Sequence, residues 1–205
     1  RCAMPSSNAS HEGILKFECC WQPAPPPEHP LVWELCRWRN KLYRVGLIGA
    51  TPDGIGYGNV SVCSPEGFFI TGTGTGTIPE LTPAGCTEVL SADLAANRVV
   101  CRGPVRASSE TLTHAALYAC AAEVGAVVHV HHRKLWETLL WKLPTTPVEA
   151  EYGTVALARA VAELYPACLR QGQRVLVLGG HPEGLLSFGS SLEEAATALL
   201  QLLGQ

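Results

Sequence analysis

Val128-His129-Val130-His131 sets two histidines two residues apart in a run of β-branched apolar residues. Side chains alternate across a strand, so His129 and His131 share one face and the valines take the other. Two imidazoles side by side on a rigid strand are unfavourable unless something binds both. A metal is the usual reason, because neutral imidazole is the commonest metal ligand. A third histidine, His181, follows another apolar run in Leu178-Gly179-Gly180-His181-Pro182-Glu183-Gly184. Three histidines with an open fourth position describe a catalytic zinc site rather than a structural one.

With 205 residues, 47% hydrophobic and 16% charged, the chain has material for one sizeable packed domain. The net charge of −3 and the lack of a basic run argue against a nucleic-acid-binding surface. No apolar run reaches the roughly 18 residues of a membrane span. Arg1 to Ser10 lacks the apolar core of a signal peptide. The nine cysteines are odd in number and form no C-x-x-C pair, which supports neither a zinc ribbon nor a redox motif. Cys63, Cys101 and Cys120 sit in apolar runs, as small buried residues of a reducing cytoplasm would. Vicinal Cys19-Cys20 is the exception, being reactive if exposed.

Residues 1–30 read as an arm. Ile14–Cys19 is a candidate strand, and Pro23, Pro25, Pro26, Pro27 and Pro30 force an extended linker. The domain proper then runs over 31–205. Leu31, Leu35, Trp38, Leu42 and Val45 recur at helical spacing over roughly 15 residues. Asn59–Cys63 alternates like a strand, and a Pro65-Glu66-Gly67 turn leads into Phe68–Thr71. The loop Gly72-Thr73-Gly74-Thr75-Gly76-Thr77 follows. Arg98–Cys101 is a strand, and Ser108-Ser109-Glu110 opens a helix that runs to Glu123. After strand Ala126–His131, helices are expected over Lys134–Trp141 and Thr154–Tyr165, and strands over Arg174–Leu178 and Leu185–Phe188. A capping box, Ser191-x-x-Glu194, starts the last helix. The pattern is a mixed sheet with helices on its faces, α/β or α+β.

Five blocks resemble, in order, the class II aldolase/adducin family. They are Gly58-Asn59-Val60-Ser61-Val62, Ile70-Thr71-Gly72-Thr73-Gly74, Ser108-Ser109-Glu110 with His114 and Tyr118, Val127–His131, and the His181 block leading to Gly189–Ala195. Tyr152-Gly153-Thr154 is a weaker match. The resemblance spans roughly 31–203 and implies a single-domain three-layer sandwich, its central sheet mainly antiparallel, with helices on both faces. It further implies Zn2+, or another divalent ion such as Mn2+ or Co2+, on His129, His131 and His181. Glu110 would be the acid/base that moves a proton at carbon, and Gly58, Asn59, Thr73, Gly74, Ser108 and Ser109 would hold the substrate phosphate. The implied activity is cleavage of a ketose 1-phosphate to dihydroxyacetone phosphate and an aldehyde through a metal-stabilised enediolate. The implied setting is a cytoplasmic homotetramer acting on a phosphorylated sugar, with no nucleic-acid or membrane partner.

The residues alone agree with this chemistry. A metal ion can act as Lewis acid on a carbonyl oxygen, and a carboxylate beside it can be tuned for proton transfer. Free N–H groups where a helix starts suit a phosphate. Other reactions on the same blocks stay open: a sugar-phosphate dehydratase of the methylthioribulose-phosphate kind, an epimerase, a decarboxylase, or a non-enzymatic adducin-like binding module. His114 shares a helix face with Glu110 and is read as packing rather than as a ligand. His132, on the opposite strand face, is read as a surface or supporting residue. Thr75-Gly76 repeats Thr73-Gly74, so the register of that loop could slip by two. The chain also departs from the family. His181 is followed by Pro182-Glu183-Gly184 where His-Gly is usual, the segment from His131 to Gly153 is short, and the Pro-rich arm is extra.

Overall fold

β-Branched and aromatic runs punctuated by glycine and proline supply most of the strands of this chain, and amphipathic stretches supply the helices. The structure, a computed structural model, describes residues 13–204. Residues 1–12 of the expected arm, with Cys2, and the terminal Gln205 lie outside the described residues. In chain order the elements are β1 (Glu18–Pro23), α1 (Pro30–Arg44), β2 (Gly49–Ala50), β3 (Gly56–Tyr57), β4 (Asn59–Cys63), β5 (Phe68–Thr71), β6 (Cys86–Asp93) and β7 (Arg98–Gly103). Then come α2 (Thr111–Cys120), β8 (Ala126–His131), α3 (Arg133–Leu139), α4 (Val155–Arg170), β9 (Val175–Val177), β10 (Gly184–Gly189) and α5 (Leu192–Leu202).

Eight strands form one sheet in the order β1-β7-β6-β5-β4-β8-β10-β9. Every pair is antiparallel except β1 with β7, which is parallel. β2 and β3 make a separate small ribbon. Helices cover both faces. Val60, Val62, Ala126, Val128, Val130 and Leu185 pack with α1 and α5 on one side. Val127, Leu176, Leu186 and Phe188 pack with α2 and α4 on the other. The architecture is therefore the three-layer sandwich expected, with a mixed, mainly antiparallel sheet. Because β8 alternates, its valines 128 and 130 fill the α1/α5 core, which sends His129 and His131 toward the α2/α4 side.

Local chemistry explains the element ends. His29 caps α1, its Nδ1 accepting from the Leu31 N–H at 3.2 Å, and Pro30 opens the first turn. Ser191 Oγ accepts from the Glu194 N–H at 3.1 Å, and the Glu194 carboxylate accepts from the Ser190 N–H at 2.7 Å. The capping box is thus present, with its return bond one residue earlier than the usual pattern.

Several elements differ from the sequence expectation, the β2–β3 ribbon among them, which has no counterpart there. The first strand lies at 18–23 rather than 14–19 and is an edge strand of the sheet, so part of the expected arm is folded onto it. Strand β6 has no counterpart in the sequence reading, because a register shift between Val89 and Ser91 breaks its period of two. Helix α2 stops at Cys120, short of Glu123. Helix α4 continues through Pro166 to Arg170 instead of stopping at Tyr165. The described cysteines are all free, and Cys36, Cys86, Cys101 and Cys168 are buried. Burial and the neighbouring Cys101 thiol push the Cys19 thiol up to about 12, which makes it a poor nucleophile.

Candidate metal centre and anion cradle

β8, in the middle of the sheet, carries His129 and His131, both buried. β10, its antiparallel neighbour, places Gly184 opposite His131 and Leu186 opposite His129. The turn that leads into β10 carries His181, 3% exposed. The three side chains offer ligand atoms that all lie within 4.8 Å of one another. Ring centroids stand 4.9, 4.9 and 4.6 Å apart for the pairs 129–131, 129–181 and 131–181.

The chemistry of this donor set fits a divalent ion. His129 Nδ1 lies 3.1 Å from the Leu185 carbonyl, which can only accept, so the ring proton sits on Nδ1. The lone pair of His129 Nε2 then faces His131 Nε2 at 3.2 Å. A tetrahedral ion with bonds of about 2.0–2.1 Å sets its ligands roughly 3.3 Å apart, so this spacing is that of two ligands of one centre. The carbonyl that fixes the His129 ring is the kind of outer partner ligating histidines keep. Gly184 makes room for the arrangement: a Cβ there would lie 2.9 Å from the His181 carbonyl and 3.3 Å from His129 Cε1.

Glu110 ends the turn before α2 and is 2% exposed. Its backbone N–H donates to Ser108 Oγ at 3.3 Å, and Thr111 Oγ1 donates to the Ser108 carbonyl at 2.6 Å. Ser108 and Ser109 therefore precede the helix instead of starting it. Glu110 Oε1 comes to 3.5 Å from His181 Nδ1, which sets the carboxyl against the histidine cluster.

On its other side Glu110 borders a small concavity. Gly58, Asn59, Thr73, Gly74, Ser108 and Ser109, the residues expected to hold phosphate, all line it together with Glu110. Both repeats of the loop take part, since Thr75 and Gly76 line it too. Gly58 and Gly74 have positive φ, 81° and 74°, backbone that glycine adopts without penalty. Gly13 also borders the concavity, and the Thr73 hydroxyl donates to the Gly13 carbonyl at 3.2 Å.

Asn59 is held by a buried relay. His114, fully enclosed, places Nε2 2.6 Å from Asn59 Oδ1 and Nδ1 2.6 Å from Ser61 Oγ, and Ser61 Oγ meets Tyr118 Oη at 2.7 Å. Both His114 nitrogens are engaged outside the metal cluster, in keeping with its reading as something other than a ligand. Sequence reasoning missed its supporting role. The signal was the shared alternation of Asn59 and Ser61, which puts both under one helical histidine. His132 caps α3, its Nδ1 accepting from the Leu135 N–H at 3.2 Å. On the far side of His131 opens a cleft of about 430 Å3 bordered by Tyr57, His132, Arg133, Lys134, Glu137 and Glu183. Arg133 Nε donates to Glu183 Oε1 at 2.9 Å.

Comparison with known proteins bears on the family and the fold. The family model of the Class II Aldolase and Adducin N-terminal domain matches residues 34–203. A fluorothreonine transaldolase of Streptantibioticus cattleyicolor is 36% identical over 177 residues, covering 83% of this chain and 25% of that protein. This chain thus spans about a quarter of that relative's length. The L-fuculose-1-phosphate aldolase of Thermus thermophilus superposes with a TM-score of 0.62 at 25% identity, covering 82% of this chain and 86% of that one. The sugar-phosphate aldolase of Thermotoga maritima shares the fold, with a TM-score of 0.58 at 19% identity over 83% of this chain and 94% of that one. No helix among the described residues is long and apolar enough to cross a membrane.

Proposed function

The chain belongs to the class II aldolase and adducin family, and on that footing we propose that it is a metal-dependent aldolase. In this reading it cleaves a ketose 1-phosphate reversibly to dihydroxyacetone phosphate and an aldehyde. The observation that carries the proposal is the place of Glu110. It lies 3.5 Å from His181 and also lines the concavity of Asn59, Thr73, Gly74, Ser108 and Ser109. A three-carbon ketose phosphate likewise carries its carbonyl close to its phosphate, with the carbon that loses the proton beside the carbonyl.

His129, His131 and His181 hold the ion, zinc foremost and manganese or cobalt as alternatives. When bound, such an ion supplies a Lewis acid for a carbonyl oxygen. Glu110 takes or returns the proton at the adjacent carbon, and its burial beside the cluster suits a carboxyl to that work. Backbone N–H groups of the Gly58 and Gly74 turns, the Ser108 and Ser109 hydroxyls and the Asn59 amide hold the phosphate, with Thr73 at its border. The cleft beyond His131 receives the aldehyde half. Its charged border of Arg133, Lys134, Glu137 and Glu183 favours a polar, hydroxylated aldehyde over an apolar one. A homotetramer is proposed on family grounds; Trp33 and Trp141, exposed in the single chain, would be candidates for burial between subunits.

The transaldolase relative favours a second reading, in which the same carbon–carbon chemistry serves transfer between aldehydes. Product analysis separates both from a dehydratase, which leaves the carbon chain intact. The deciding experiment follows exchange of the carbon-bound protons of dihydroxyacetone phosphate in D2O by NMR, using protein loaded with one zinc per chain. Exchange that vanishes in Glu110→Gln supports the aldolase. Zinc-loaded wild-type protein that exchanges nothing refutes it.

A further inference from the structure

Arg39 projects from the core-facing side of α1 and is 1% exposed. Its guanidinium donates only to neutral acceptors. Nη2 reaches the Thr75 carbonyl at 2.7 Å, and Nη1 reaches the carbonyls of Ile78 and Pro79 and Asn40 Oδ1. The Tyr43 ring stacks 4.9 Å from its carbon centre. No carboxylate hydrogen-bonds to it among the described residues. Glu80, the nearby acid, is taken by Arg44 at 2.7 Å and by Asn40 Nδ2 at 3.2 Å. Burial pulls the Arg39 pKa below its ordinary value, yet a guanidinium stays charged in proteins. A buried charge that no carboxylate touches is costly, and neutral hydrogen bonds together with the through-space attraction of Glu80 offset that only in part.

The segment Arg39 holds is the one that lines the anion cradle. Thr75 and Gly76 border the concavity, and the guanidinium grips the Thr75 carbonyl from behind. Two further carbonyls of that loop are taken: Gly72 O accepts from Thr75 Oγ1 at 2.8 Å, and Gly74 O accepts from Thr77 Oγ1 at 3.2 Å. The N–H groups of Gly72, Thr73 and Thr75 are taken by the carbonyls of Gly85, Arg106 and Gly72, so the N–H groups the loop offers an anion are those of Gly74, Gly76 and Thr77. Among the described residues no Lys or Arg side chain lines the cradle, whose one carboxyl is Glu110. Lys16, on the N-terminal segment, is tied to Glu151 at 3.4 Å and is not part of the lining. The buried cation and the concavity thus share one loop, the cation bound to the Thr75 carbonyl and the concavity bordered by Thr75 and Gly76.

We propose that Arg39 is the positioning residue of this cradle, shaping the Thr75–Thr77 turn and supplying through it the positive charge that holds a phosphate monoester and selects it over a neutral ligand. The proposal rests on the reading of the cradle as a phosphate site given above.

The test uses zinc-loaded wild type, Arg39→Lys and Arg39→Gln, with metal content measured for each. Calorimetric titration with inorganic phosphate reads affinity directly. Proton exchange on dihydroxyacetone phosphate is compared with exchange on uncharged dihydroxyacetone. Loss of one charge behind a single layer of backbone predicts phosphate binding about tenfold weaker in Arg39→Gln. Arg39→Lys, which keeps the charge, should lose clearly less. In Arg39→Gln the fall in kcat/KM for the phosphorylated substrate should exceed that for the neutral one by a similar factor, mostly through KM. Equal losses for both ligands, or Gln and Lys variants that weaken phosphate alike, would reduce Arg39 to a structural tether and overturn the proposal. If Arg39→Gln does not retain zinc, calorimetric titration of phosphate into metal-free wild type, Arg39→Lys and Arg39→Gln decides by the same ranking: Gln clearly weaker than Lys supports the proposal, and Gln equal to Lys overturns it. Wild-type protein that binds no phosphate is a distinct result: it removes the cradle itself, and the role of Arg39 with it.

Discussion

His114 Nε2 meets Asn59 Oδ1 at 2.6 Å, across 55 residues of sequence, and so turns the Asn59 amide N–H groups toward the cradle. The donor role follows from charge. Burial, with His129 adding to it and Glu110 opposing, lowers the His114 pKa to about 3, so the ring is neutral and donates through one nitrogen only. Nε2 donates to the Asn59 oxygen, and Nδ1 accepts from Ser61. His114→Gln should weaken inorganic phosphate binding while leaving metal content unchanged, as calorimetry beside metal analysis would show.

The same histidine makes stability depend on pH. An ordinary histidine binds a proton below about 6.5, whereas His114 in the fold does so only near 3. The unfolded chain therefore binds more protons between those values, and the stabilisation from His114 is complete above pH 6.5 and lost as the pH falls toward 3. Urea midpoints measured from pH 7 down to pH 4 should fall more steeply for wild type than for His114→Gln, which cannot titrate. Parallel curves would show that His114 is not held neutral.

Glu110→Gln keeps the shape of the side chain and removes its proton-accepting ability. Loss of a positioned acid/base lowers the rate by roughly 10²–10⁴-fold. The expected result is proton exchange reduced on that scale with metal content unchanged, read by NMR and metal analysis on the same sample.

His129→Ala/His131→Ala removes two of the three nitrogen donors. Wild-type protein should carry about one divalent ion per chain, and the double variant none, by elemental analysis after desalting. A chelator applied to wild type should abolish exchange and lower the melting temperature, since an ion bound only by the folded chain stabilises it. Metal-free wild type with an unchanged melt would leave the fold as a binding module.

Gly184→Ala should damage the centre without replacing a ligand. The added Cβ would press on the His181 carbonyl at 2.9 Å, on Leu178 Cδ1 at 3.2 Å and on the His129 ring at 3.3 Å. Overpacking of this kind costs about 1–3 kcal/mol. Disturbing what orients a ligand weakens metal binding by roughly 10–100-fold. Competition with a zinc indicator would measure the second effect, and denaturant melts the first.

Much of this arrangement could be read from the chain because it is local. Alternation on β8 sufficed to pair His129 with His131, and the Ser191–Glu194 cap is a matter of one helical turn. What escaped depends on contacts between distant segments. Strand β6 carries a bulge that breaks its alternation. The buried stripe of α1 was expected at Leu31, Leu35, Trp38, Leu42 and Val45, whereas Val32, Leu35, Cys36, Arg39, Asn40 and Leu42 are buried. The stripe is turned by about one position because Arg39 and Asn40 find partners at residues 75–81, which no periodicity reveals. Likewise His114 looks like packing until the sheet brings Asn59 and Ser61 beneath it.

Glu183 is where the fold carries avoidable strain. It sits at φ 70°, in the left-handed region, within the Pro182-Glu183 insertion just after His181. A non-glycine residue there costs on the order of 1–3 kcal/mol. Its ion pair with Arg133 at 2.9 Å returns little, because the Arg133 side chain is 75% exposed. Glycine would relieve the strain but make the unfolded chain more flexible, which takes back roughly 0.4–1 kcal/mol. Glu183→Gly should therefore be more stable than wild type by about 1 kcal/mol, seen as a higher urea midpoint at unchanged slope. If the cleft beyond His131 receives the aldehyde, the same variant should raise KM for the aldehyde in the condensation direction. Proton exchange on dihydroxyacetone phosphate should be unaffected. A gain in stability paired with that loss would mean that the strained carboxylate is kept for recognition. A gain with no change in KM would place aldehyde recognition elsewhere in the cleft.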